Sequence, residues 1–455
     1  MHKWNNVDSL HRTGKLAMDS GEASSIEEAE KIFKGYKLII EVGPDIADSP
    51  TRQAMLLTAV NTGRRCFLGG VEVTGNLNIP LLVRWRDCRT LAEGILNLHG
   101  QIVTTVTPEK PRILIGNVNH PIGIGEFAIR ATFDGWSGGV IPFEDADRLP
   151  EKQEFIPAGI LAGAVAVSEA FQYIRQGNAM AGRRDMGLSL WQPEVGSDWQ
   201  SASNGPEINE LPSKLWLIGL GHLGQAFLWT LGLLPYKKPE DVLLVLQDYD
   251  VLTEANDSTS LLTFPSSMSK MKTRAMAEWS ESRGFRTIIH ERRFESNFKI
   301  AEEEPMVAFC GVDNAPARAV LEEVGFSRLI EAGLGKGLEE YLAFQINTFP
   351  GHRKALDIWG KESLSKPKTQ DYSNQPAYQG IEDKCGLTTL AGRSVGASFV
   401  GATVAALAVS ELIRMCHGKH QYSLIDGSLR SLKDRQAIIN NRLTEPFNPG
   451  TTKLK

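Results

Sequence analysis

Short apolar runs of strand length alternate with longer stretches of helical pattern along most of the chain. The runs that predict strands occupy residues 36–42, 64–69, 112–116, 241–247 and 306–310. The run at 241–247 is almost wholly apolar, which is typical of a central parallel strand covered on both faces. The alternation as a whole predicts a layered α/β fold.

Two long helices rich in small residues are predicted over residues 157–175 and 394–414. When one is slid along the other, Gly159 aligns with Gly401, and the tripeptide Val-Ser-Glu recurs in register. Small residues at helical spacing predict helices packed very close to a neighbour. Two interpretations stay open: a repeat of two similar halves, or two unrelated alanine-rich core helices.

Composition shifts along the chain suggest its division into parts. Residues 1–35 are polar and predict a solvated helical region, followed by a first α/β half over residues 36–177. Residues 178–212 resemble a linker. A second α/β half covers residues 213–455 and contains a polar crossover segment at residues 352–394. The tail beyond residue 441 is expected to be frayed.

A glycine-rich turn lies at the start of the second half. The predicted strand at residues 214–218 leads into Gly219-x-Gly221-x-x-Gly224, and an apolar helix follows. Gly219 would allow the tight turn, Gly221 the close approach of a phosphate, and Gly224 the packing of the helix onto the strand. Dehydrogenases, flavoproteins and adenylating enzymes share this motif, and a plain strand–helix turn also fits it.

Polar residues downstream indicate what the turn binds. Asp248 follows the second strand at the distance typical of an acid that accepts from ribose hydroxyls. Asp313 follows another strand, and its carboxylate suits the Mg²⁺ of Mg-ATP, although it could instead cap the helix starting near residue 315. Lys272 opens a helix and could reach a β- or γ-phosphate, or be an ordinary solvated lysine.

Net charge and the number and spacing of the cysteines bear on which ligands and which cellular compartment we expect for the protein. The 455 residues carry a net charge of −5, which gives no basic footprint for nucleic acid. We expect no membrane span and no N-terminal signal. The five cysteines lack paired spacing, which predicts a reducing cytoplasm and no structural zinc. Cys385 has polar surroundings, and Lys384 and a nearby helix start would favour its thiolate, so it is the best nucleophile candidate.

The second half resembles the ThiF/MoeB/HesA superfamily of ubiquitin-activating enzymes over residues 214–426. The resemblance rests on a set of motifs in order: the glycine loop, Asp248-x-Asp250, Asn256, Lys272, Gly311-x-Asp-Asn314 and the cysteine-containing crossover. It implies two Rossmann-like halves, an inactive N-terminal one and an active ATP-binding adenylation domain with a catalytic-cysteine crossover segment. It also implies either a pseudo-dimeric monomer or a homodimer.

The resemblance also implies roles for individual residues. ATP would be bound by Gly219, Gly221, Gly224, Asp248, Asp250, Asn256 and Lys272. Asp313 would hold Mg²⁺, and Asp313, Lys272 and Cys385 would be catalytic. The C-terminal carboxylate of a ubiquitin-like protein would be adenylated, captured as a thioester on Cys385 and passed to a conjugating enzyme. The chain is also similar to activating enzymes of bacterial ubiquitin-like conjugation operons, which suggests antiviral defence.

The chain departs from the superfamily pattern at one point. Thr259 and Ser260 stand where an Arg-Gln pair is expected. Arg274, Arg183 or Arg184 could neutralise the triphosphate instead. Three other interpretations stay open: an adenylation-only enzyme that serves a sulfur carrier or modifies a peptide, an NAD(P)-dependent oxidoreductase, and an inactive scaffold.

Overall fold

A computed structural model of the protein contains two central β-sheets, each flanked by helices. The structure describes residues 8–106, 109–118, 123, 126–143, 148–194, 198–202, 204–364, 394–442 and 447–454. Cys385 and most of the predicted crossover segment lie outside these residues.

The first sheet has seven strands in the order β3-β2-β1-β4-β5-β6-β7. Its strands are β1 Lys37–Val42, β2 Gly70–Thr74, β3 Gln101–Ile102, β4 Arg112–Ile115, β5 Ala128–Asp134, β6 Ser137–Pro142 and β7 Met186–Ser189. β1 to β5 pair in parallel, and β6 and β7 run antiparallel to their neighbours. β7 lies within the predicted linker at residues 178–212, so the first sheet extends into that stretch.

The strand predicted over residues 64–69 is wrong. The preceding helix runs to Gly63, and the strand begins at Gly70. Cys66 and Phe67 are fully buried, but in a turn whose amides bond back to the end of that helix. Burial alone gave this segment its apolar pattern, because a core turn and a buried strand have the same composition over such a short run.

The second sheet has eight strands in the order β11-β10-β9-β12-β13-β14-β15-β16. Its strands are β9 Lys214–Ile218, β10 Leu243–Gln247, β11 Arg286–His290, β12 Val307–Cys310, β13 Arg328–Leu334, β14 Ala343–Phe349, β15 Tyr422–Ser428 and β16 Ser431–Ile439. A separate two-stranded sheet joins β8 Glu210–Pro212 to β17 Thr451–Lys453. The chain end, expected to be frayed, is therefore paired at β17.

The helices cover the faces of the sheets. They are α1 Lys15–Asp19, α2 Ile26–Lys34, α3 Pro50–Gly63, α4 Leu91–Asn97, α5 Ile156–Ile174, α6 His222–Leu233, α7 Glu254–Asp257, α8 Lys272–Ser282, α9 Ala315–Ala319, α10 Gly337–Glu340, α11 Ala355–Leu364 and α12 Ser398–Cys416. α11 occupies the start of the predicted polar crossover, where little periodicity is visible in the sequence.

The two halves have the same topology. The order β3-β2-β1-β4-β5-β6-β7 matches β11-β10-β9-β12-β13-β14-β15 strand for strand, with β16 added at the end of the second sheet. α3 follows the first strand of one half as α6 follows that of the other, and α5 and α12 occupy equivalent connections. The predicted fold class, with two Rossmann-like halves, is confirmed, and the repeat interpretation of α5 and α12 is correct.

The two halves share one continuous hydrophobic core. Trp229 of α6 donates a hydrogen bond to Thr58 of α3 over 3.0 Å, and the rings of Phe171 and Phe399 lie 5.7 Å apart between α5 and α12. Among the described residues one helix, α12, is long and apolar enough to cross a membrane, but 89% of it is buried inside the protein. Its apolar character is explained by this central position.

The N-terminal region is packed onto the core, contrary to the expectation that it is solvated. Leu16, Ala17 and Met18 of α1 are buried. Lys15 is also buried, and its ammonium group lies 2.6 Å from a carboxylate oxygen of Asp19. The region is polar on average because the few apolar residues of this short helix are surrounded in the sequence by charged and polar ones.

Candidate functional site

A cavity of about 1090 Å³ opens at the carboxyl ends of β9, β10 and β12. This is the edge of an open α/β sheet at which ligands usually bind. Its walls include most of the residues predicted for nucleotide binding: Gly219, Gly221, Asp248, Asp250, Asn256, Lys272 and Asp313. The structure therefore brings together side chains that are up to 94 positions apart, counting from residue 219 to residue 313.

The three glycines of the loop have three different environments. Gly219 has a positive φ of 84°, a conformation that other residues rarely adopt. A Cβ atom on Gly224 would overlap the Gly219 carbonyl oxygen, so Gly224 lets α6 approach the loop closely. A Cβ atom on Gly221 would meet nothing within 4 Å, because this residue faces the open cavity. Only Gly221 leaves space that a ligand can fill.

Asp248 holds the glycine loop against the end of β10. One of its carboxylate oxygens accepts from the amide of Leu220 over 2.7 Å, and the other accepts from Tyr249 and Asp250 over 2.8 and 2.9 Å. A carboxylate has about four acceptor positions, so these bonds leave capacity for a ribose hydroxyl. Ribose binding by Asp248 stays a prediction.

Lys272 is buried at the first position of α8, with 8% of its surface exposed. Its Nζ atom lies 2.8 Å from an oxygen of Asp250 and 3.9 Å from an oxygen of Asp248. The solvated-lysine interpretation is therefore wrong. The lysine is held at the cavity wall by acidic residues that an anionic ligand could displace.

Asn256 is buried near the cavity and caps its own short helix. Its Oδ1 atom accepts from the Thr253 amide over 2.8 Å. The first half supports the same segment, because Arg64 and Arg65 contact the Asp257 carboxylate over 2.6 and 3.6 Å. Binding of the nucleotide by Asn256 stays a prediction.

Asp313 does not cap the helix that follows it. The cap of α9 is Asn314, whose Oδ1 accepts from the Ala317 amide over 2.9 Å. Asp313 is exposed in the cavity wall, and within the described part of the chain it forms no hydrogen bond or ion pair. Its carboxylate is thus available to a cation, whereas the alternative role as a helix cap is wrong.

The arginines suggested as replacements for the missing Arg-Gln pair lie elsewhere. Arg274 is mostly exposed and pairs with Glu291 over 2.8 and 3.0 Å, outside the cavity wall. Arg183 and Arg184 are not in the wall either. Four other arginines line it: Arg292, Arg293 and Arg318 from the second half, and Arg12 from the N-terminal region. No motif marks Arg12 in the sequence, since only the tertiary fold brings it near the glycine loop.

The segment that lacks the Arg-Gln pair has no room for it. Thr259 and Ser260 are 1% and 0% exposed. The Thr259 methyl group lies 3.2 Å from the position of a Cβ atom on Gly396, just before α12. A long cationic side chain at position 259 would collide with this returning chain, which is itself held by a 2.8 Å hydrogen bond from Thr13 to the Gly396 carbonyl oxygen.

His222, the first residue of α6, also lines the cavity. The residue is half-buried, but its Nε2 atom is buried and has no hydrogen bond of good geometry among the described residues; the backbone of Ala397 and Ser398 lies beside the ring. Burial lowers the pKa of His222 to about 3, and the charge of Arg12 acts in the same direction. The imidazole is therefore neutral at physiological pH.

The equivalent crevice in the first half is filled by the protein itself. Asp45 follows the glycine after β1, and its carboxylate accepts from the Asn117 amide over 2.7 Å. Arg148 lies 3.1 Å and Arg52 3.5 Å from the same carboxylate, and Arg52 also pairs with Glu151 over 2.6 Å. This network occupies the position at which the second half has an open loop.

Solved structures that resemble the chain include three proteins. Escherichia coli tRNA N6-threonylcarbamoyladenosine dehydratase, TcdA, is 14% identical with a TM-score of 0.30, covering 45% of this chain and 87% of that one. E. coli MccB is 12% identical with a TM-score of 0.34, covering 51% and 64%. PaaA is 13% identical with a TM-score of 0.34, covering 50% and 64%.

Sequence comparison is more specific. The BilD N-terminal domain profile matches residues 37–190, and the BilD C-terminal domain profile matches residues 211–419. The bacterial E1-like protein BilD of Collimonas sp. (strain OK412) is 45% identical over 431 residues, which cover 93% of this chain and 92% of that protein. The chain therefore belongs to the BilD family of bacterial E1-like proteins.

Proposed function

We propose that this protein binds Mg-ATP in the cavity at Gly221 and adenylates the C-terminal carboxylate of a ubiquitin-like protein. The observation that carries the proposal is the open face of Gly221 beside a buried lysine, Lys272, and an unpaired carboxylate, Asp313. A dinucleotide site has no use for a carboxylate facing its phosphates, because the charges repel. An ATP site uses it to hold a divalent cation.

The side chains present fit the proposed ligands. Asp313 offers the hard oxygen ligand that Mg²⁺ prefers, and phosphate oxygens and water would complete the coordination. Bound Mg²⁺ supplies charge neutralisation on the phosphates. Lys272 and Arg12 supply two further positive charges from opposite parts of the chain, and the first turn of α6 presents backbone N–H groups to the phosphates.

Adenylation is then an in-line displacement. A carboxylate oxygen of the ubiquitin-like protein forms a bond to the α-phosphorus, and the bond from that phosphorus to the leaving pyrophosphate breaks. Negative charge grows on the pyrophosphate, and Lys272, which is held in place by Asp250 before the reaction starts, stabilises it together with Arg12. The product is an acyl-adenylate, a mixed anhydride.

Cys385 is the proposed acceptor of the acyl group. Its thiolate would attack the acyl carbon, release AMP and form a thioester, which a conjugating enzyme's cysteine would then receive. Support comes from chain order: Cys385 lies between α11 and α12, and Ser394 and Gly396, where the chain reaches α12, line the cavity. A pseudo-dimeric monomer, a cytoplasmic location and a role in antiviral defence complete the proposal.

Nucleotide titration tests this function against the oxidoreductase alternative. Isothermal titration should show binding of Mg-ATP. The fluorescence of NADH should stay unchanged when NADH is mixed with the protein. Gly221→Val should abolish Mg-ATP binding while the protein stays folded, because the new side chain enters open space. Gly177→Ala is the matched control, since its Cβ atom meets only the Gln172 carbonyl oxygen at 4.0 Å. Tight NADH binding without Mg-ATP binding would contradict the proposal.

A further inference from the structure

The side chain of His222 fills the space between the glycine loop and the long helix α12. A Cβ atom on Gly401 of α12 would overlap the His222 Nε2 atom and lie 2.6 Å from its Cδ2 atom. On another side the ring faces Gly396, where a Cβ atom would lie 3.7 Å from Nδ1. The ring is therefore wedged between the first turn of α6 and two glycines of the returning chain.

The first half shows the same junction without a side chain in it. Gly159 of α5 is the residue that aligns with Gly401. A Cβ atom on Gly159 would overlap the Thr51 carbonyl oxygen, in the first turn of α3. The main chain of α3 thus rests directly on its glycine, whereas an imidazole separates α6 from Gly401. The second half, which has the His222 ring at this junction, has an open glycine loop. The first half, which has no side chain there, has a filled crevice.

The ring acts by its volume. It is neutral, and its buried Nε2 atom has no hydrogen bond of good geometry in the described chain, although the backbone of Ala397 and Ser398 at the start of α12 lies beside the ring. Proteins are close-packed, so removing or overlapping such a ring shifts its neighbours. One part that such a shift would move is Gly221, which lies directly before His222 in the chain and forms the open face of the loop.

We propose that His222 is a positioning residue, a neutral spacer that holds the first turn of α6 away from α12 and so keeps the phosphate side of the glycine loop open. This inference rests on the proposed binding of Mg-ATP at that loop. The spacer sets the affinity for nucleotide and takes no part in the chemical step.

A double-mutant cycle tests the spacer. Gly401→Ala should weaken Mg-ATP binding about tenfold or more, since the added methyl group pushes the ring towards the loop. His222→Ala should also weaken binding, because it removes the whole ring, including the Cδ2 atom that faces Gly401, and lets the turn move towards α12. The double variant should bind more tightly than either single variant, because the methyl group takes the space that the ring leaves. Isothermal titration gives the affinities.

Kinetics separate positioning from chemistry. In pyrophosphate exchange, the single variants should raise the KM for ATP and leave kcat near the wild-type value. Gly159→Ala is the matched control: it creates the equivalent overlap in the first half, so it should lower the melting temperature without changing Mg-ATP affinity.

Each result of the cycle has one meaning. Additive losses in the double variant, or wild-type affinity in His222→Ala, would overturn the spacer while leaving nucleotide binding intact. Failure of the wild-type protein to bind Mg-ATP would overturn the proposed function and the spacer with it. If Gly401→Ala does not fold, recovery of folding and binding in the double variant supports the spacer, and continued failure contradicts it.

Discussion

The ammonium group of Lys272 lies 2.8 Å from a carboxylate oxygen of Asp250, at the wall of the cavity that the glycine loop opens into. The pair is asymmetric, since Lys272 is buried and Asp250 is exposed. Asp250 therefore binds the lysine at the wall of the cavity while its own side chain is half open to solvent. An arriving phosphate would therefore meet a cation that is already in place.

Lys272→Met should weaken Mg-ATP binding by roughly tenfold to a hundredfold, because it keeps the unbranched apolar stem of the side chain and removes the ammonium group that makes a charge-assisted contact. Asp250→Asn should have a smaller effect on affinity, since the lysine stays. Isothermal titration of both variants checks the order of the two effects. Unchanged affinity in Lys272→Met would show that the lysine does not contact the nucleotide.

Arg12→Ala should slow ATP–pyrophosphate exchange by about tenfold or more, because a positive charge near the leaving group is lost. Arg274→Ala is the matched control, since Arg274 is exposed and pairs with Glu291 away from the cavity. Its exchange rate should equal that of the wild type. Equal rates for both variants would show that Arg12 does not act on the leaving group, and would leave Arg292, Arg293 and Arg318 as the arginines of the cavity wall that could replace the Arg-Gln pair.

Glu169→Gln should change the dependence of stability on pH. Burial raises the pKa of Glu169 to about 7, against the hydrogen bond that it accepts from the Gly182 amide over 2.8 Å. Between its unfolded pKa of 4.5 and about 7, the folded protein keeps a proton that the unfolded chain loses. The wild type therefore loses stability as the pH rises through this window, by an amount on the order of 3 kcal/mol.

The glutamine variant lacks this loss, so its urea midpoint relative to the wild type should rise between about pH 5 and about pH 8. Glu291→Gln serves as a control of opposite sign, because the hydrogen bond from Arg274 lowers the pKa of Glu291. A relative midpoint for Glu169→Gln that is constant over this range would contradict the buried, protonated state.

Cys385→Ala should abolish a thiol-sensitive adduct that forms when the wild-type protein meets Mg-ATP and the ubiquitin-like protein. The adduct is a thioester, so it should disappear on treatment with a reducing thiol and be visible on a non-reducing gel. Cys88→Ala is the control: Cys88 is half-buried, and burial together with Glu93 raises the pKa of its thiol. An adduct that persists in Cys385→Ala would assign the acyl group to another residue.

The local part of the site could be predicted from the sequence, because a strand, a glycine-rich turn and an apolar helix follow one another within twenty residues. Asp248 and Asp313 could be predicted as well, since the carboxyl ends of parallel strands meet at one edge of a sheet, and Lys272 could be predicted from its place at a helix start. The fold class followed from the alternation of apolar runs and from the two small-residue helices.

Contacts between distant segments could not be predicted. Arg12 reaches the cavity only because α1 packs on the core, and the polar composition around Leu16 conceals that burial. The contact of His222 with Gly401 joins helices about 180 residues apart, and a glycine gives no sign of which side chain will rest on it. The sequence also could not show which of Asp313 and Asn314 caps α9, because Asp and Asn are both good helix caps.

The most direct test of the account is ATP–pyrophosphate exchange by the wild type and by Asp313→Ala, each with and without the ubiquitin-like protein. We expect exchange by the wild type only when Mg²⁺ and the ubiquitin-like protein are both present, and a loss of at least about a hundredfold in Asp313→Ala. Asp241→Ala, at a residue outside the cavity, should exchange normally. Wild-type exchange rates in Asp313→Ala, or no exchange by the wild type with its ubiquitin-like partner, would contradict the account.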